Sequence, residues 1–148
     1  MARPFSALPG ILDRRSREFS RGVNTISREA AQAAGRAAVR STPVDTGMAR
    51  SNWQASTGSP RSNVIPPYAP GAKLGLAEVG NAVGAEGQQR VVLQAWNAIR
   101  EISAFITNNV EYIGPLNFGG PTVGPNNMIA KAVQAWSASI RRPRRILR

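Results

Sequence analysis

The chain has 148 residues, 42% of them hydrophobic and 6% aromatic, and carries a formal charge of +11. That length suits one domain around a single core, and no run approaches the ~20 apolar residues needed to cross a bilayer. With no cysteine and no histidine, disulfides, thiol nucleophiles, Cys/His metal centres and imidazole acid–base chemistry are excluded.

The opening MARPFSALPG lacks an apolar h-region, so no signal peptide is expected and synthesis in the cytoplasm is. Residues 12–40 read as one long amphipathic helix, which at 1.5 Å per residue spans roughly 43 Å. Phe19, Val23, Ile26, Ala30, Ala33, Ala34 and Ala37 fall on one face. Arg14, Arg17, Arg21, Arg28 and Arg36 fall on the other, interrupted by Glu18 and Glu29. That arginine stripe reads either as a solvated face or as a surface meeting DNA or a neighbouring subunit. Pro43 ends the helix, because the residue before a proline is pushed out of the α region. Asp45, Thr46 and Gly47 predict a turn, and residues 49–56 a strand with Trp53 as its core anchor.

Residues 57–75 are dense in Gly, Pro, Ser and Asn, with Pro66, Pro67 and Pro70 around Tyr68. They predict a long loop, either mobile or reaching to a neighbour. Residues 76–79 suggest a short strand. Residues 88–103 predict a second helix whose apolar stripe runs Val92, Ala95, Trp96, Ile99 and Ile102. A strand is expected at 105–110 and a strand–turn–strand at 112–120, bending at Gly114–Pro115. The last helix, over 126–141, presents Met128, Ile129, Ala132, Val133, Trp136 and Ile140 on one face, with Asn126 or Asn127 as cap and Pro143 as stop. The fold class expected is therefore α+β: a small, mostly antiparallel sheet packed by a long N-terminal helix, a middle helix and a C-terminal helix. Residues 1–141 form the domain, and residues 142–148 form a tail bearing Arg142, Arg144, Arg145 and Arg148 beside Arg141.

Catalytic chemistry has little to work with. The eight carboxylates include no D-x-D or E-x-x-E pair, and neither G-x-S-x-G nor a P-loop string occurs. The expectation is a protein that is not an enzyme, with no catalytic residue, no cofactor and no metal. The positive charge comes from 17 Arg against 2 Lys, which favours a polyanion or an acidic protein surface. Arg14, Arg17, Arg21, Arg28, Arg141, Arg142, Arg144, Arg145 and Arg148 are the candidate contacts.

The string 43–53, PVDTGMARSNW, resembles the PVDTG-x-x-R-x-S/N-W segment of the tailed-bacteriophage neck or tail-completion proteins. Its matching residues are Pro43, Val44, Asp45, Thr46, Gly47, Arg50 and Trp53. Two weaker strings follow in order. One runs from Thr107-Asn108 through Tyr112 to Phe118-Gly119, and the other is Pro125 to Met128. The chain departs from the family pattern at Asn117, where an acidic residue usually precedes the aromatic–Gly pair. The resemblance implies a structural virion subunit, made in the host cytoplasm, that forms a ring of six or twelve copies at the head–tail junction. Its partners would be itself and the neighbouring connector or tail-tube proteins, with DNA in the channel as a further candidate and no membrane. In such a ring Trp53, Trp96 and Trp136 would together hold the monomer, Arg50 would pair with a carboxylate such as Asp45, and the Tyr68 loop and arginine tail would make the outward contacts. The competing reading is a small basic protein binding the phosphate backbone of nucleic acid.

Overall fold

A computed structural model describes residues 5–70, 76–101 and 103–141. After a single 3-10 turn, Phe5–Ala7, the chain forms α1, Leu8–Ser41, 34 residues long. Pro9 in the first helical turn needs no N–H partner there. The helix stops at Thr42, which turns extended (φ −79°, ψ 121°) ahead of Pro43. Gly22 and Gly35 do not break it.

The strand expected at 49–56 is half right. Gly47 adopts φ 79°, and a single helical turn, α2 (Met48–Ser51), follows before β1 at Gln54–Thr57. The backbone N–H of Ser51 reaches the Gly47 carbonyl at 3.0 Å, which closes that turn. β1 pairs antiparallel with β2, Ala104–Thr107, in the register Gln54↔Thr107 to Thr57↔Ala104. This two-stranded ribbon is the whole sheet among the described residues.

Between the strands lies α3, Leu76–Ala95. It replaces the short strand expected at 76–79 and contains the first half of the helix expected at 88–103, whose second half is not helical. Gly80, Gly84 and Gly87 lie within it, and two of them serve close packing. A Cβ on Gly84 would stand 2.2 Å from the Tyr68 ring, and one on Gly80 would stand 2.8 Å from the Ala69 methyl. The helix ends early because Asn97 takes over its last turn: its carbonyl accepts from Arg100 and Glu101, and its side-chain oxygen accepts from the Ile99 N–H at 3.2 Å.

The strand–turn–strand expected at 112–120 is instead a short helix, α4, Ile113–Phe118. Pro115 sits in its first turn, where a missing N–H is harmless. The final helix, α5, covers Met128–Arg141. Neither Asn126 nor Asn127 caps it as expected: Asn127 is left-handed (φ 52°), and Asn117 from α4 accepts from the Ile129 N–H at 2.9 Å. Asn117 thus caps α5 from across the fold.

The architecture is α+β, helices packed on a small antiparallel ribbon, with α5 lying mainly along α1 and α3 covering β1. One core cluster joins Ala38, Val39, Trp53, Ala85 and Met128; a second joins Ala55, Leu93 and Trp96. The expected tryptophan trio is therefore split. Trp53 and Trp96 anchor separate clusters, while Trp136 is 48% exposed. Among the described residues eleven hydrophobic side chains are buried, five of them alanine, while seventeen large hydrophobics are exposed. So small a core leaves much apolar surface exposed among the described residues.

Candidate interaction surfaces

The string 43–53 is built around Thr42. Its hydroxyl donates to the Ala38 carbonyl at 2.7 Å and accepts from the Trp53 indole N–H at 2.7 Å, with the Met128 sulfur 2.9 Å away. Its carbonyl receives the Arg50 guanidinium, Nε at 3.0 Å and an Nη at 2.6 Å. Arg50 is 6% exposed. The partner found for it is this backbone carbonyl, whereas the expected Asp45 stands exposed. The charge-assisted fork binds the end of α1 to the turn after it, so Arg50 and Trp53 hold the angle between α1 and β1.

The outward half of the string has a different role. Pro43, Val44, Asp45, Thr46 and Gly47 line a cleft of about 450 Å³, closed on its far side by Tyr112, Leu116 and Val123. The cleft brings the first of the three sequence strings against the second.

The long loop does not stand away from the body. Side-chain amides read its backbone as a strand neighbour would. Asn52 donates to the Ile65 carbonyl and accepts from its N–H, both at 2.8 Å, and Gln54 donates to the Asn63 carbonyl at 2.9 Å. Asn81 accepts from the Ala69 N–H at 2.8 Å, and the Ser51 hydroxyl accepts from the Tyr68 N–H at 3.2 Å. Residues 63–69 are thereby pinned against the body of the chain. The same device guards the sheet edge: Gln88 bonds both the N–H and the carbonyl of Ala55 at 2.9 Å, covering the side of β1 away from β2. Partial burial raises the Tyr68 phenol above its usual range, slightly offset by Arg61.

The arginines divide into kinds. Arg14 and Arg15 approach Glu18 at 3.9 and 3.6 Å, and Arg17 pairs with Asp13, all on the exposed N-terminal part of α1. Arg28 is half-buried, its Nε donating to the Trp96 carbonyl at 2.6 Å. Arg36 and Arg40 both meet Glu86 on α3, and the hydrogen bond that Arg40 donates to that carboxylate raises the Arg40 pKa. Arg21 and Arg141 are exposed. Arg142, Arg144, Arg145 and Arg148 lie outside the described residues. Among the described residues no cluster of acidic, His or Cys side chains could hold a metal, and no helix is long and apolar enough to cross a membrane.

The chain matches no protein-family model, no curated protein and no solved structure.

Sequence reasoning missed an apolar surface on α5. The face of α5 expected to be core is mostly outside: Met128 is fully buried, but Ile129, Val133, Trp136 and Ile140 are 43–57% exposed. These residues wall a groove between α1 and α5, floored by Trp53, Ile106 and Ala104. A second apolar stripe, Leu8, Leu12 and Phe19, runs along the N-terminal part of α1 and is 45–65% exposed. Periodicity shows that a helix face is apolar; it carries no signal for whether the covering surface belongs to the same chain.

Proposed function

We propose that this protein is a structural subunit of the tailed-bacteriophage neck or tail junction, forming a ring that joins the head connector to the tail or completes the tail. The observation that supports it most is the segment 43–53. The string that resembles the family motif does specific work here, with Arg50 and Trp53 locking the end of α1 and residues 43–47 presenting a cleft at the surface. Exposed apolar faces on α1 and α5 suit a subunit completed by neighbours. In this reading the partners are further copies, six or twelve to a ring, with the connector or tail-tube proteins on either side. The protein has no catalytic step of its own and resides in the virion.

The competing reading, a free-standing binder of nucleic-acid phosphate, draws on the charge of +11 and the exposed Arg21 and Arg141. Light scattering at low and high salt, with negative-stain images of the same fractions, separates the two. Closed rings of six or twelve copies with a channel wide enough for duplex DNA support the neck. A salt-insensitive monomer that binds duplex DNA, with affinity falling steeply in salt, refutes it.

A further inference from the structure

We propose that the N-terminal part of α1 of one copy seats in the α1/α5 groove of a second copy, head to tail. The proposal deepens the ring reading and rests only on its self-association, not on the phage role.

Both surfaces belong to the same chain, and one cannot cover the other within it. The groove begins at Ile26 on α1 and at Ile140 on α5. Leu12 lies 14 residues before Ile26 on an unbroken helix, about 21 Å further along the axis. An arm that is continuous with the groove wall cannot fold back into it. Only another molecule can bring such a stripe to the site.

The two surfaces match in length and spacing. On α5 the exposed residues fall at 129, 133, 136 and 140; on the arm, Leu8, Leu12, Arg15 and Phe19 fall at the same offsets of 4, 7 and 11. Each stripe is about 16 Å long, so a helix laid in the groove meets it over its full extent. Arg15 is the polar member of the arm stripe and Trp136 the aromatic member of the groove. In parallel register they occupy the same level, where a guanidinium against an indole face is favourable.

The apolar area is a large part of what a stable contact needs. From their exposed fractions, the apolar residues of each stripe present on the order of 400 Å², roughly 800 Å² per contact before flanking groups are added. Specific interfaces bury about 1,200–2,000 Å² in total, so the apolar stripes alone make up roughly half of a standard contact. Because every copy carries one arm and one groove, the contact is heterologous. It propagates from copy to copy and closes into a ring when the rotation allows.

The natural absence of cysteine makes a direct test available. Single variants Leu12→Cys and Val133→Cys sit near the middle of each stripe, close to one another in either helix orientation. Mixed and mildly oxidised, they are expected to give a disulfide-linked heterodimer, and the double variant L12C/V133C a ladder of higher species. The charge variant Leu12→Asp/Phe19→Asp alters only exposed positions. It should keep its circular dichroism and melting temperature while self-association weakens at least about tenfold. Cross-linking of L12C chiefly to itself, no cross-link in the mixture, or unchanged association of the Asp variant would each overturn the proposal. A ladder whose members form open filaments rather than closed rings would leave the arm contact standing and refute the neck reading instead.

Discussion

Thr42→Val tests whether the segment 43–53 is held from its first residue, as the geometry indicates. Valine keeps the β-branched shape and suits the extended backbone before Pro43, so the substitution removes a hydroxyl and little else. That hydroxyl is the acceptor for the Trp53 indole at 2.7 Å, in a place where Thr42 is fully buried and Trp53 is 6% exposed. A buried N–H stripped of its only acceptor loses about 1–3 kcal/mol. The Ala38 carbonyl also loses a donor, but it remains within a helix. At 2–4 °C per kcal/mol for a domain approaching this size, the melting temperature should fall by about 2–12 °C. The assay is urea unfolding followed by far-ultraviolet circular dichroism, which does not depend on tryptophan emission. Trp53→Phe, which has no N–H to strand, provides the second arm of a cycle. In that background Thr42→Val should add little, giving a coupling of at least about 1 kcal/mol. A loss below about 0.5 kcal/mol in the wild-type background, or strictly additive single variants, would refute the hub.

Three further outcomes are expected. Gly47→Ala should destabilise by roughly 1–3 kcal/mol by the same assay, since φ 79° is strained for any other L residue and the new Cβ would meet the Asn81 amide at 2.1 Å. Its loss should exceed that of Gly58→Ala, where the φ is 77° but the space is open. Tyr68 ties stability to alkaline pH. With its folded pKa raised above the ordinary 10.0, its contribution is whole below that value and declines as pH rises through the folded pKa. Tyr68→Phe should therefore lose less stability than wild type between about pH 9 and pH 12; equal losses would show that the phenol is not involved. Glu86→Gln removes the shared partner of Arg36 and Arg40. Because both arginines are more than half exposed, the loss should be only about 0.5–1 kcal/mol and should shrink in high salt, as melting scans at two ionic strengths would show.

The parts of the fold that were legible in the sequence are those governed by local rules. α1 and α5 follow from unbroken 3.6-residue periodicity, and the stop at Thr42 follows from Pro43. The turn at Gly47 and the strand near 105 were equally visible. The misread elements share a cause. Gly84 is the same letter whether it ends a helix or admits the Tyr68 ring against it. Gly114–Pro115 serves a hairpin bend or a first helical turn equally well. Asn117 was read as a departure from a family pattern and proved to be a cap, which depends on α4 and α5 meeting through residues remote in sequence.

By itself, then, the chain's sequence determined a basic, cysteine-free α+β domain with long amphipathic helices and a well-defined turn at 43–47, because charge, periodicity and proline geometry act over a few residues. Tertiary structure alone decided which amides pin the long loop, that Arg28 and Arg50 bind backbone carbonyls, and which apolar faces remain open. Burial is a property of the whole packing. The stripe from Ile129 to Ile140 has the same periodicity on either side of a core, and only the position of α5 against α1 leaves it facing outward.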